Sequence, residues 1–239
     1  MNHIHSRGRR LRSSAAVFLA AALLASGCRG VPDITETSAP AGQDYEVYTE
    51  ASVQARNAFD EFTEELFRKE IASDAISLHY SLADPSAYGI EKAASAFGEG
   101  TLEALQADMA DTRAVQEELR QFDRSLLTDE QQLTWSVLDS YLETALMSDG
   151  LELYSRPLAP TIGVQAQLPI LLAEYPFYDG GDVEDYLWML SQIDVYYGEL
   201  AEFEKEKSAA GLYYSDTTVD HLIQSCESYL IPPQENFLT

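Results

Sequence analysis

Apolar residues recur at spacings of three and four along most of the chain, and this period constrains the fold more than any other feature of the sequence. Between Thr49 and Glu70 such residues fall on one face of a helix: Phe59, Phe62, Leu66 and Phe67. Similar stripes run from Leu102 to Phe122 and from Leu133 to Leu146. The pattern predicts an all-α fold, because a half-buried strand would alternate apolar and polar residues.

Residues that favour helix starts precede several stripes. Thr128-Asp129-Glu130-Gln131 places a hydroxyl and an amide in capping-box positions. Gly180-Gly181-Asp182 predicts a turn leading into an N-cap at Asp182, with Asp185 as an acid in the first turn. One short segment, residues 76–82, fits a strand as well as a helix.

The first 28 residues have the pattern of an export signal. Four arginines and no acid precede a small and apolar run, Ser13 to Leu24, which leads into Ala25-Ser26-Gly27-Cys28. This ending resembles a bacterial lipobox, in which the cysteine receives a diacylglycerol. The run is shorter than the roughly 20 residues that cross a bilayer. We therefore expect a signal peptide over residues 1–27 and lipidation of Cys28; a plain secretory signal is the alternative.

A segment rich in Pro, Thr, Ser, Ala and Gly follows Cys28 and continues to about Asp44. This composition predicts a flexible tether over residues 28–47 and a helical domain over residues 48–239. Both export interpretations place the protein outside the cytoplasm. We expect it at the extracytoplasmic face of a membrane of the cell envelope, with the membrane as a partner through the lipid anchor.

The chain is strongly acidic, with 15 basic and 40 acidic residues and a net charge of −25. Such a chain repels phosphate backbones, so we expect no nucleic-acid partner. Its two cysteines are Cys28 and Cys226. Lipid on the first leaves the second without an intramolecular disulfide partner.

Recognisable catalytic and metal-binding motifs are missing from the sequence. Beyond the signal peptide, the histidines are His79 and His221, and there is no His-Glu-x-x-His, no Gly-x-Ser-x-Gly and no calcium-loop pattern. Cys226 lies on the apolar side of its predicted helix, which favours a buried, inert thiol. Acidic clusters are interpreted as solvated helix faces. The sequence therefore predicts no catalytic residue and no metal ligand in this chain.

Aromatic residues crowd the stretch between residues 175 and 214. Phenol rings that line a groove can stack on a ligand and form hydrogen bonds with it. The candidate ligand groove consists of Tyr175, Tyr178, Tyr213 and Tyr214. Packing between helices is the alternative and the more common role of such residues.

Several short segments also occur in a characteristic order. They are Phe59 to Phe67, His79-Tyr80-Ser81-Leu82, Asp84-Pro85, Tyr88-Gly89, Leu126 to Gln132, Gly163 to Leu168-Pro169, Tyr175-Pro176-Phe177, Asp182 to Tyr186 and Gly211-Leu212-Tyr213. Their order and spacing resemble the N-terminal region of the domain of unknown function 885 family, over nearly the whole chain after the tether.

The resemblance implies a mostly helical protein, often an exported lipoprotein, that looks like a zinc metallopeptidase of the gluzincin type. The family's His-Glu-x-x-His helix lies downstream of the matching region, and this sequence ends at Thr239. The resemblance thus implies zinc only in a full-length relative and no cofactor in this chain. We expect this chain to be the N-terminal helical part of a larger metallopeptidase-like fold. It would contribute to a peptide-substrate groove and be inactive alone.

Two other functions remain open. The chain could be a complete, non-enzymatic surface lipoprotein that binds a ligand or a partner. A calcium-dependent surface module ranks last, because no calcium-ligand spacing is present.

Overall fold

The computed structural model describes residues 49–98, 100–230 and 232–235. Seven α-helices occupy these ranges: α1 Glu50–Ile71, α2 Ala75–Ser81, α3 Leu102–Leu119, α4 Asp129–Leu146, α5 Val164–Ala173, α6 Gly180–Ala209 and α7 Asp216–Glu227. Short 3-10 turns occur at Pro85–Tyr88, Arg124–Leu126, Glu152–Tyr154 and Pro233–Glu235. The described ranges contain no strand, so the fold is all-α, as the apolar period predicts.

The predictions for the N-terminus concern residues outside the described ranges. They are the signal peptide over residues 1–27, lipidation of Cys28 and the tether over residues 28–47. Within the part of the chain that the structure describes, no helix is both long enough and apolar enough to cross a membrane.

The capping box before α4 is confirmed. The Thr128 hydroxyl accepts a hydrogen bond from the Gln131 backbone N–H at 3.2 Å, and the Gln131 side-chain oxygen accepts one from the Thr128 N–H at 3.2 Å. Each side chain thus satisfies a backbone donor that the first helical turn leaves free. The capping box thus marks where α4 begins, and Gln131 Nε2 also donates to the Arg56 carbonyl and to Asp60 on α1.

The predicted start of α6 is wrong by three residues. The N-cap is Asp179, whose Oδ1 accepts hydrogen bonds from the N–H groups of Gly181 and Asp182 at 2.7 and 3.2 Å. Asp182 is the third helical residue, and its Oδ2 accepts from the Asp179 N–H at 3.1 Å. The two glycines are therefore in the first turn, because Asp179 already supplies the acceptor that the free N–H groups need.

The ambiguous segment at residues 76–82 forms the short helix α2. Its N-cap is Asp74, whose Oδ1 accepts from the Ser77 N–H at 2.8 Å and whose Oδ2 accepts from the Ser77 hydroxyl at 2.6 Å. Asp74 also forms an isolated parallel bridge with Ser95. This cap and bridge fix α2 against the loop that follows it.

Two groups of buried side chains form the core. The first joins α1, α3 and α4 through Phe59, Leu119, Leu127, Leu138 and Leu142. The second joins the end of α1 to α2, α5 and α6 through residues that include Phe67, Ile71, Leu78, Leu168, Leu172, Tyr175 and Met189. Each large apolar side chain contributes about 1.5–3 kcal/mol when it is fully buried. The second group positions α2 against the beginning of α6, where the polar residues described next converge.

Candidate functional site

An imidazole and a carboxylate meet where α2 contacts the beginning of α6. His79 Nδ1 lies 3.3 Å from Asp182 Oδ1, and the two side chains are 9% and 17% exposed. Asp182 cannot turn away easily, because its Oδ2 also accepts hydrogen bonds from the N–H groups of Tyr178 and Asp179 at 2.6 and 3.1 Å. The capping box of α6 thus holds the carboxylate against His79.

Two tyrosine rings stack on the imidazole, and a third, that of Tyr80, contacts it edge-on with centroids 5.4 Å apart. The Tyr175 ring stacks on the His79 ring with centroids 3.9 Å apart and an angle of 16° between the planes. The Tyr178 ring lies 5.7 Å away at 30°. Tyr175 is buried and Tyr178 is exposed. Stacking therefore limits rotation of the imidazole, while the Asp182 contact specifies which nitrogen faces the carboxylate.

The His79 side chain lines a cavity of about 110 Å³, called here the His79 pocket. Its lining residues are Ala75, Leu78, His79, Leu82, Ala83, Pro85, Ala93, Tyr178, Asp179, Asp182, Asp185 and Trp188. Three of them are aspartates, on the first two turns of α6 and its cap. Burial, followed by the carboxylates of Asp182 and Asp185, raises the pKa of the neighbouring Tyr175 phenol far above its ordinary value. The lining of the pocket is therefore acidic.

A second opening, called here the α7 groove, lies between the end of α6 and α7 and has a volume of about 430 Å³. Its lining residues are Leu158, Glu204, Leu212, Tyr213, Tyr214, Val219, Leu222, Ile223, Cys226, Glu227 and Leu230. Apolar residues on α7 recur at helical spacing, yet only Leu222 among the residues of α7 is buried. Tyr213 is 72% exposed and Leu230 is 83% exposed. The groove thus presents apolar surface to solvent.

A buried polar network supports one wall of the α7 groove. Lys207 Nζ donates to the Ser155 carbonyl at 2.7 Å and to Tyr214 Oη at 3.3 Å, and it lies 3.6 Å from Glu204 Oε1. Tyr214 Oη donates to the Leu158 carbonyl at 2.7 Å. Burial lowers the pKa of Lys207 and raises the pKa of Tyr214 to about 12. These bonds hold the Tyr214 ring in place as a wall of the groove.

The structure places the four tyrosines of the expected groove at two sites. Tyr178 lines the His79 pocket, with Tyr175 buried against the imidazole. Tyr213 and Tyr214 line the α7 groove. The helix α6, Gly180–Ala209, separates the two pairs along the chain, so residues that are crowded in the sequence do not share one surface.

The expectation of a buried Cys226 thiol is wrong. Cys226 is exposed and lines the α7 groove, although partial burial still raises its pKa. The sequence correctly indicates an apolar helix face, but within the described chain no further helix covers that face. The His79–Asp182 pair was missed for a different reason: the residues are 103 positions apart, and neither belongs to a short catalytic motif.

No zinc site can be built from the side chains described. Within residues 49–98, 100–230 and 232–235, no three His, Cys, Asp or Glu side chains converge in an arrangement that could hold a metal ion. A zinc site requires three or four such ligands. The described residues therefore do not fit zinc.

Taken together, the fold and the sites define an acidic all-α protein with a carboxylate-lined pocket and an apolar groove. Residues 84–238 match the family described as bacterial protein of unknown function (DUF885), and the chain belongs to that family. Comparison with curated proteins and with solved structures finds no match.

Proposed function

We propose that this chain is the peptide-holding helical part of an exported, lipid-anchored protein that resembles zinc metallopeptidases, and that it does not hydrolyse peptides by itself. The observation that carries the proposal is the α7 groove, whose apolar wall is open to solvent. The order of sequence segments that resembles metallopeptidase-like lipoproteins supports the same function, whereas the matched family is itself described as of unknown function.

The groove suits the apolar side chains of an extended peptide. Its volume of about 430 Å³ lies within the roughly 300–1,000 Å³ typical of ligand sites. Val219, Ile223 and Leu230 all line the groove and are exposed to solvent, and exposed apolar patches mark interaction sites. The exposed Tyr213 ring adds apolar area and a hydroxyl that can bond to a peptide backbone. The wall at Tyr214 is already ordered, so little conformational entropy is lost when a ligand binds.

The proposal is tested with a capped, uncharged peptide of alternating apolar residues. Isothermal titration calorimetry measures the affinity of the full chain for this peptide. Ile223→Asp places a charge in the groove and removes a contact, and full burial of such a side chain contributes about 1.5–3 kcal/mol. We expect binding at least about tenfold weaker.

Leu133→Asp is the matched control, because Leu133 is 67% exposed on α4 and lies outside the groove. The affinity of the Leu133→Asp variant for the peptide should equal that of the original chain. Equal losses in the two variants, or no binding by the original chain, would refute the peptide-holding role. Zinc-dependent peptide hydrolysis that a chelator abolishes would refute the claim of inactivity.

Lipid anchoring is tested separately at Cys28. The apolar run that ends at this cysteine supports export and acylation. In cells, the original chain should fractionate with membranes and enter the detergent phase on extraction, and Cys28→Ser should move it to the aqueous phase. Aqueous partitioning of the original chain would contradict the anchor.

A further inference from the structure

One nitrogen of the buried imidazole has no hydrogen-bond partner. His79 Nε2 is inaccessible to solvent, and no group in the described ranges of the chain bonds to it. Buried polar atoms are nearly always paired with protein or with water. Since His79 lines the cavity at α2 and α6, a small molecule held in that cavity can supply the missing partner.

The contact of the other ring nitrogen, Nδ1, indicates which kind of group can form a hydrogen bond with Nε2. Asp182 Oδ1 lies 3.3 Å from His79 Nδ1, and a carboxylate there favours the proton on Nδ1. A neutral imidazole with its proton on Nδ1 has an acceptor at Nε2. For that tautomer the missing partner is an N–H or O–H donor.

The carboxylates select a positive charge. Asp182 is engaged by His79 and by two backbone N–H groups, and Asp179 Oδ1 caps the helix. Asp185 also lines the pocket, and no hydrogen bond or ion pair reaches its carboxylate from the described residues. The Lys92 ammonium lies 4.2 Å from the centroid of the Trp188 ring and neutralises part of this charge. Three carboxylates against one ammonium give the pocket an excess of negative charge that a cation can neutralise.

The aromatic rings and the volume of the His79 pocket limit the class of ligand further. The rings of Tyr178 and Trp188 line the pocket, and aromatic faces attract ammonium and guanidinium groups. The cavity of about 110 Å³ matches the liquid volume of about three or four water molecules. It admits a charged head and the first carbons of an alkyl chain.

We propose that the His79 pocket binds a primary ammonium group on a short alkyl chain, with one N–H donated to His79 Nε2 and the positive charge facing Asp179, Asp182 and Asp185. The site is independent of the α7 groove and of peptide holding. Such a head occurs on free alkylamines, on lysine side chains and at peptide N-termini.

Titration of the full chain with n-butylammonium tests the proposal, with the ring nitrogens of His79 followed by ¹⁵N-detected NMR at constant ionic strength. The resonance of Nε2 should shift as it accepts a hydrogen bond, and His79→Phe assigns that resonance. Two probes serve as controls: tetramethylammonium has the charge without N–H groups, and butanoate has the opposite charge. We expect n-butylammonium to bind at least about fivefold more tightly than tetramethylammonium, because one hydrogen bond is lost. Butanoate should not bind.

Variants separate the pocket from general attraction to an acidic surface. His79→Phe keeps the stacking with Tyr175 and should weaken n-butylammonium binding about fivefold. Asp185→Asn, at a side chain with no structural partner in the described residues, should weaken it about threefold. Asp194→Asn removes an exposed charge from the same helix outside the pocket and should change binding less than about 1.5-fold. Circular dichroism confirms that each variant is folded.

Three results would overturn the proposal. The first is an unshifted Nε2 resonance at saturating n-butylammonium, which would mean that the pocket holds only water. The second is equal binding of n-butylammonium and tetramethylammonium. The third is an equal loss of affinity in the Asp185 and Asp194 variants. If n-butylammonium binds as expected but the capped peptide does not, the pocket stands and the peptide-holding function fails.

Discussion

Replacing Lys207 with methionine tests whether the wall of the α7 groove depends on one buried charge. The Lys207 side chain is 7% exposed, and its Nζ contacts Ser155, Tyr214 and Glu204. Methionine retains most of the apolar stem and removes the donor. The Ser155 carbonyl then loses its bond to the ammonium, and Glu204 loses its ion pair.

The expected loss follows from two opposing effects. A hydrogen bond to a charged group contributes about 1.5–3 kcal/mol, and removing one partner of a buried ion pair costs up to about 3–5 kcal/mol. The Lys207 ammonium is poorly hydrated in the folded state, which is why its pKa is lowered. Removing it also removes that desolvation cost. The net expectation is a free energy of unfolding lower by about 2 kcal/mol.

Lys205→Met is a matched control on the same helix. Lys205 also pairs with a glutamate three residues earlier, Glu202, at 2.6 Å, but the two side chains are 70% and 67% exposed. A solvated pair of this kind contributes less than about 0.5 kcal/mol. Urea unfolding followed by circular dichroism at neutral pH measures both variants. If Lys207→Met lowers stability no more than Lys205→Met, the buried network does not support the groove wall.

Three further predictions concern the scaffold, and urea unfolding measures each. Gly163→Ala should lower the free energy of unfolding by about 2–3 kcal/mol, because the added Cβ would lie 2.2 Å from the backbone N of Ala159; Gly198→Ala, with open space around its Cβ, should raise it by about 0.5–1 kcal/mol. Thr128→Ala should lower the free energy of unfolding by about 1 kcal/mol, whereas Thr128→Ser, which keeps the capping hydroxyl, should lower it much less. Burial raises the pKa of Tyr197 to about 12, against 10.0 as the ordinary value. The unfolded chain therefore ionises first, and stability falls as the pH rises from 10 to 12. At pH 11 Tyr197→Phe should avoid about 1 kcal/mol of that loss. Similar losses in the Gly163 and Gly198 variants, an unchanged Thr128→Ala, or equal alkaline sensitivity of Tyr197→Phe would contradict the respective arguments.

Local features of the fold could be predicted from the sequence because their causes are local. The period of Phe59, Phe62 and Phe67 specifies one face of α1, and these residues pack in or against the core. The capping box at Thr128 requires only four consecutive residues. At α6 the predicted N-cap, Asp182, is wrong and Asp179 is the N-cap. Both aspartates fit an N-cap in the sequence, and only the backbone geometry distinguishes them.

The candidate sites could be predicted only in part, because tertiary packing determines them. The sequence identified Tyr178 and Tyr214 as ligand-facing candidates, and each lines an opening. It could not indicate that His79 meets Asp182, since that contact depends on how α2 packs against α6. It also misjudged Cys226, because periodicity identifies an apolar face but does not indicate what covers it.

Hydrogen–deuterium exchange of the full chain, with and without the capped apolar peptide, tests the central claim most directly. Amide exchange reports local opening segment by segment, and a ligand slows exchange in the segments that it holds. We predict that the peptide slows exchange in residues 212–230, which form α7 and its flanks, while α3 and α4 remain unchanged. Protection confined to α3 and α4, or no protection at a peptide concentration that saturates binding, would contradict a peptide-holding α7 groove.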